Sequence, residues 1–114
     1  MNVSYEGIGQ WAATFACGAV SEGEPVKLSA NGTVAACGAG DVFCGTVLSV
    51  SHGGDACSAQ LGGMTTMGYT GTAPAPGYAA LVADGAAGVK IGATGRSYLV
   101  VDVDTAAKTV TFAL

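Results

Sequence analysis

The stretch CGAGDVFCGTVLSVSH, residues 37–52, contains two of the four cysteines and the only histidine of the chain. Cysteine and histidine are the usual ligands of structural zinc and can also form a nucleophile–base pair. Zinc sites space paired ligands about two to four residues apart, whereas Cys37, Cys44 and His52 are seven and eight positions apart. If residues 44–52 form a strand, Cys44 and His52 are separated by about 26 Å at roughly 3.3 Å per residue. The spacing predicts neither a metal site nor a direct Cys44–His52 pair.

The other cysteines leave one possibility open. Cys57 follows the same predicted turn as His52, and Cys17 or Cys37 could meet His52 through the tertiary structure. Two ligands do not make a structural zinc site, and a free cysteine most often packs as a small apolar residue. We therefore predict no metal ligand, while a through-fold contact between a cysteine and His52 stays open at this stage.

Four residues of the types found in Ser-His-Asp catalytic triads lie close together around one predicted turn: Ser49, Ser51, His52 and Asp55. Triad members normally come from separate elements, because residues so close in sequence rarely reach the required geometry. The glycines before them do not form a phosphate loop, since no Gly-Lys-Ser/Thr occurs and no helix is predicted to follow. Asp102 and Asp104 supply too few oxygens for calcium. We predict no catalytic residue and no cofactor, and hence a protein that is not an enzyme.

The composition is that of one globular domain with an unusually neutral surface. Half of the 114 residues are hydrophobic, and only 11% are charged, against roughly 25% in an ordinary soluble domain. Part of the surface is therefore expected to be buried against other subunits. The net charge of −4 with four basic residues argues against nucleic acid, which needs several Lys or Arg contacts to phosphate.

The same composition bears on membranes and export. No run of 18 or more apolar residues lacks glycine or polar interruptions, which argues against a membrane span. No Lys or Arg precedes the apolar part of the N-terminus, so a signal peptide is not expected. The four cysteines are then expected to be reduced thiols of a cytosolic protein.

Glycine, threonine and valine dominate the chain, and turn signals recur every 8 to 12 residues or so, which is typical of strands. We predict an all-β protein: a single small β-barrel or β-sandwich of about 8–10 short strands, rich in hairpins, with little or no helix. Residues 1–10 are predicted to be an N-terminal arm, and residues 11–114 the β domain. Pro74 and Pro76 exclude a central strand around them.

Asn31-Gly32 marks the clearest hairpin. A two-residue loop would pair Ala30 with Thr33. A three-residue loop, with Gly32 left-handed in a bulge, would pair Ser29 with Thr33 and sort apolar from polar side chains better. We predict the bulged turn, with one apolar face made by Val26, Leu28, Val34 and Ala36.

Two further strands are predicted in detail. DVFCGTVLSV, residues 41–50, is expected to be one long strand with a bulge or bend at Gly45. In the C-terminal hairpin, period-two alternation predicts one core face, formed by Leu99, Val101, Val103, Val110, Phe112 and Leu114.

Most of residues 20–114 carries a pattern that resembles a known class of protein. Its elements are a G-x-P-V-x-L strand, an Asn-Gly hairpin, a G-T-V strand and a V-D-x-D…T-V-x-F-x-L end. These correspond to Gly23, Pro25, Val26, Leu28, Gly45, Thr46, Val47, Asp102, Asp104, Thr109, Val110, Phe112 and Leu114. The chain is in this respect similar to small all-β phage and prophage proteins encoded near head genes, which resemble capsid decoration or head-stabilising proteins.

The resemblance implies a structural virion protein, made in the bacterial cytoplasm, that forms a homo-oligomer, often a trimer, and binds a capsid shell. Aromatic and apolar residues are favoured interface anchors, and we predict an interface that includes Tyr5, Trp11, Phe15, Phe43 and Val47. The alternative function is a small bacterial surface or carbohydrate-binding β module, which an exposed row of aromatic side chains would favour.

Overall fold

The computed structural model describes residues 11–114. The predicted arm, residues 1–10, lies outside the described residues, and so does Tyr5. The described chain is all-β and contains no helix, as predicted. Its ten strands are β1 (Trp11–Cys17), β2 (Pro25–Ala30), β3 (Thr33–Ala36), β4 (Gly45–Val50), β5 (Ala56–Gly62), β6 (Met64–Gly68), β7 (Gly77–Ala83), β8 (Val89–Ile91), β9 (Arg96–Asp104) and β10 (Thr109–Ala113).

The first five strands form a closed barrel in the order β1-β3-β2-β4-β5, with β5 pairing back onto β1. Its core is small and aliphatic, formed by Val26, Val34, Val47, Cys57 and Ala59. The β1–β5 pairing is long, whereas β1 meets β3 in parallel at only two positions, Ala16 opposite Thr33 and Cys17 opposite Val34. The barrel therefore closes through a short seam.

The last five strands form a second sheet in the order β6-β10-β9-β7-β8. A single parallel bridge between Tyr69 and Val89 joins its two edges, and Thr70 N donates to Val89 O at 3.0 Å. The core of this sheet is larger and more aromatic than that of the barrel, with Tyr98 and Phe112 fully buried. The molecule thus contains two hydrophobic cores.

Residues 37–44 do not extend β4, contrary to the predicted 41–50 strand, which begins only at Gly45. They form a loop from the barrel into the second core, where Cys37 and Phe43 are buried. The loop pairs with the end of β7, because Gly40 N donates to Ala83 O and Ala83 N donates to Asp41 O, both at 2.9 Å. Burial of the Phe43 ring in the second core outweighs continuation of the strand.

The Asn31-Gly32 hairpin has the predicted register away from the turn, with Val26 opposite Ala36 and Leu28 opposite Val34. Gly32 has the predicted left-handed conformation, with φ of 62°. At the turn itself Ala30 pairs with Thr33, so the irregularity falls at Ser29 rather than in a three-residue loop. Leu28 is exposed instead of facing the core, because β2 pairs with β4 only at Pro25 and Val26.

The predicted core face of the C-terminal hairpin is wrong for β9. A bulge places Thr111 opposite Asp102 but Phe112 opposite Val100, which leaves Val101 as the extra residue. One extra residue moves every earlier side chain of the strand to the other face. Tyr98 and Val100 are consequently buried and Leu99 is exposed.

Candidate interaction surface

The cysteines and the histidine of residues 37–52 lie in separate environments. Cys37 is buried in the second core, and this burial raises the pKa of its thiol to about 11. The Cys44 thiol donates to Val26 O at 3.5 Å. His52 is exposed in the turn between β4 and β5. Residues 11–114 contain no group of three or more His, Cys, Asp or Glu side chains that could hold a metal ion.

The hydroxyl and carboxylate groups near His52 make turn contacts. Ser51 Oγ donates to Asp55 Oδ1 at 3.1 Å and accepts from Ala56 N at 3.2 Å. In the β9–β10 turn, Asp104 Oδ1 accepts from the backbone N of Ala106 and of Ala107, both at 3.0 Å. These hydrogen bonds stabilise the conformations of the β4–β5 and β9–β10 turns.

The predicted interface residues differ in how far their side chains are exposed to solvent. Trp11 is 62% exposed, at the start of β1, whereas Phe15 is half-buried against the barrel core. Phe43 and Val47 are buried in the second core and the barrel core respectively. The interface prediction is therefore corrected for these two residues, because their side chains have no surface left to present to a partner.

The indole of Trp11 packs against Gly62, its direct partner on β5. A Cβ atom built on Gly62 would lie 1.9 Å from Trp11 Nε1, so only glycine leaves room for the ring in this position. The indole thus contacts the β5 backbone while most of the side chain stays exposed. It is the only tryptophan of the chain.

A continuous apolar row lies instead on the outside of the second sheet. The pairing registers place Tyr78 opposite Leu99, Leu99 opposite Ala113, and Ala113 opposite Met64. These four side chains, on β7, β9, β10 and β6, form a row that we call the outer apolar row. Adjacent strands are about 4.8 Å apart, so the row spans about 14 Å.

The outer apolar row faces solvent because its neighbours along each strand face the core. Tyr98, Val100 and Phe112 are buried, whereas Tyr78 is 79% exposed and Leu99 is 39% exposed. Ala113 and Met64 are partly buried. The row is not predictable from alternation along β9 alone, because alternation continued through the bulge at Val101 places Leu99 in the core.

Mostly small polar side chains flank the outer apolar row. On one side Thr66 and Thr111 share a hydrogen bond of 2.8 Å between their hydroxyl groups, and Asp102 lies opposite Thr111. On the other side Ser97 lies opposite Ala80. A partner covering the row itself would desolvate apolar side chains rather than charges, which is much less costly.

The fold thus defines a small all-β protein with one closed five-stranded barrel and a second five-stranded sheet. Within residues 11–114, the structure contains no helix long and apolar enough to span a membrane. Neither a protein-family model nor a curated protein matches the sequence.

Proposed function

We propose that this chain is a structural, non-catalytic protein of the phage or prophage type, which self-associates and decorates or stabilises a capsid shell. The observation that carries the self-association is the outer apolar row on the second sheet. The shell as partner is supported by the resemblance of the G-x-P-V-x-L, G-T-V and C-terminal hairpin patterns to head-associated proteins.

The outer apolar row suits a second copy of the same surface. It offers an aromatic ring at Tyr78, an aliphatic side chain at Leu99 and a flexible thioether at Met64, which are side chains typical of interface cores. The four side chains of the row carry no charge, and the one carboxylate in the flanking positions is that of Asp102, opposite Thr111. Two copies that meet through the row itself therefore bury no unpaired charge, the feature that most often opposes self-association.

The low charge of the chain supports the same proposal. Only 11% of the residues are charged, and the large exposed apolar side chains include Leu28, Val42, Leu48 and Ile91 in addition to the row. Scattered single apolar residues are normal on a protein surface. Four apolar side chains in register across four strands are a more specific feature, because they form one contiguous patch.

Association with a shell is tested by purifying particles from the bacterium that encodes the chain, with and without the gene deleted. We expect the protein to sediment with intact shells at a fixed ratio to the major shell protein. Purified protein added to shells from the deletion strain should restore that ratio. Protein that stays with the soluble fraction while shells sediment would contradict the shell partner.

The alternative, a carbohydrate-binding module, has weaker support. Trp11 lies on β1 of the barrel and Tyr78 on β7 of the second sheet, so these two exposed rings do not form a row on adjacent strands. An open cleft beside Thr14, Ser49 and Ser58 has a volume of about 200 Å³, below the roughly 300–1,000 Å³ of typical ligand pockets. A second open cleft of about 410 Å³, beside Thr70, Thr72 and Lys90, has no aromatic side chain in its lining. Binding of soluble glycans would favour this alternative.

A further inference from the structure

Cys17 and Cys57 lie side by side in the barrel. β1 and β5 are antiparallel, with Phe15 opposite Cys57, and Cys17 N donates to Asp55 O at 3.1 Å. Cys17 and Cys57 are thus diagonal neighbours on adjacent strands, a relation that brings side chains of one face together. Both pack in the barrel core, and the neighbouring Cys17 side chain adds to burial in raising the pKa of the Cys57 thiol.

The two thiols differ in their accessibility to solvent. Cys57 is buried, and this burial raises the pKa of its thiol to about 11. Cys17 is half-buried near the end of β1, where its thiol donates to Gly54 O at 3.9 Å. A reagent from solution therefore meets Cys17 first. The bend that follows Cys17 leaves its backbone room for the small shift that a disulfide requires.

We propose that Cys17 and Cys57 form a reversible disulfide inside the barrel when the protein meets a small disulfide oxidant of the oxidised-glutathione class. The Cys17 thiolate attacks one sulfur of the oxidant and releases one equivalent of its thiol. The Cys57 thiolate then attacks the Cys17 sulfur of the mixed disulfide and releases the second equivalent. The protein loses two hydrogens, and the oxidant is reduced to two thiols.

The bond would act beside one of the two shortest strand pairings of the barrel. Cys17 is one of the two β1 residues that pair with β3 across the short seam. A covalent link from Cys17 to β5 fixes this end of β1 and restricts the unfolded chain, which stabilises the folded state. The remaining cysteines have other surroundings, since Cys37 belongs to the second core and Cys44 donates to Val26 O.

Peptide mapping of the wild-type protein tests the proposal without any substitution. The reduced, folded protein is treated with oxidised glutathione, alkylated and digested with trypsin and an Asp-N protease. This digestion places each cysteine on its own peptide, namely 1–27, 28–40, 41–54 and 55–83. We expect peptides 1–27 and 55–83 to be linked, a loss of two of the four free thiols, and a Tm several degrees higher that returns to its starting value with dithiothreitol.

Variants separate this pair from the other cysteines. Cys17→Ser should abolish the linked peptide and the rise in Tm, whereas Cys44→Ser should keep both. Linkage through Cys37 or Cys44, links only between chains, or retention of all four thiols in the wild-type protein would overturn the proposal. Because the wild-type map gives the answer alone, a variant that fails to fold does not weaken the test.

Discussion

Tyr98 joins the second sheet to the loop that leaves the barrel, because its ring and its hydroxyl contact the same residue. The ring stacks on Phe43 with centroids 5.0 Å apart, and the hydroxyl donates to Phe43 O at 3.0 Å. Phe112 packs against both rings, and the Arg96 guanidinium lies 5.0 Å from the centroid of Tyr98. The buried end of the 37–44 loop is therefore fixed both by packing and by a hydrogen bond.

Tyr98→Phe removes that hydrogen bond and leaves the buried carbonyl of Phe43 without its side-chain donor. We expect the free energy of unfolding to fall by about 1–2 kcal/mol, measured by urea denaturation. Tyr78→Phe is the matched control, because Tyr78 is mostly exposed, and its effect should stay within about 0.5 kcal/mol. Equal losses in the two variants would contradict the role given to the Tyr98 hydroxyl.

Asp41 fixes the other end of the same loop. Its Oδ2 accepts from Lys27 Nζ at 2.6 Å and from Gly38 N at 2.8 Å. The hydrogen bond from Lys27, followed by that from Gly38, lowers the pKa of Asp41, and the same contact raises the pKa of Lys27. Since the folded carboxyl has the lower pKa, its stabilising effect is present above the ordinary aspartate pKa of about 4 and is lost as the pH falls further.

Asp41→Asn should therefore lower the Tm at pH 7, and the difference from the wild type should shrink as the pH falls from about 4 toward 2. The asparagine keeps an oxygen acceptor, so the variant tests the charge rather than the shape of the loop. Thermal unfolding followed by circular dichroism across this pH range measures the effect. A constant Tm difference at every pH would show that Asp41 acts without its charge.

At the scale of elements, the sequence pattern predicts the positions of most strands but not the faces of all of them. Pro74 and Pro76 are outside strands, as predicted. The failures have local causes. The bulge at Val101 reverses the faces of β9, and burial of Phe43 ends the predicted 41–50 strand. Alternation along one strand contains no information on a bulge that depends on the partner strand.

The bulge at Val101 and the burial of Phe43 also explain why the candidate surface was predicted incorrectly. Leu99 became a core residue in the prediction because the bulge was not foreseen, and Phe43 became an interface residue because the second core was not foreseen. The exposure of Trp11 could be predicted from the sequence, because a large aromatic residue at the start of a strand, next to the N-terminal segment, is a simple candidate for an exposed side chain. The outer apolar row needs the register of four strands, which no single segment specifies.

Gly45 permits the close approach of β4 and β5. A Cβ atom at this position would lie 2.2 Å from Gln60 O, a backbone atom that cannot move without breaking strand pairing. We expect Gly45→Ala to lower the free energy of unfolding by about 3 kcal/mol or more, measured by denaturant titration. Gly18→Ala is the control, because a Cβ there has nothing within 4 Å. Similar losses in both variants would contradict the steric explanation.

At the scale of the whole molecule, the two cores are tied together at two places. The 37–44 loop links the barrel to the second core, and the buried Gln60 side chain of β5 donates to Gly62 O at 3.0 Å and to Met64 O at 2.9 Å, where the barrel passes into the second sheet. The second of these contacts connects the backbone of Met64, a member of the outer apolar row, to the barrel. A contiguous and uncharged row on a hydrogen-bonded sheet is a suitable surface for self-association, because its backbone is already ordered before it binds.

Sedimentation velocity over a range of concentrations, on the wild type and two variants, tests self-association through the outer apolar row most directly. Leu99→Lys places a charge in the centre of the row. Leu48→Lys is the matched control, because Leu48 is 41% exposed and Leu99 is 39% exposed, but Leu48 lies on β4 of the barrel. We expect the wild type and Leu48→Lys to sediment as one oligomer and Leu99→Lys to sediment as a folded monomer. A wild type that stays monomeric at high micromolar concentration, or a Leu99→Lys variant as oligomeric as the wild type, would contradict the proposed role of the row.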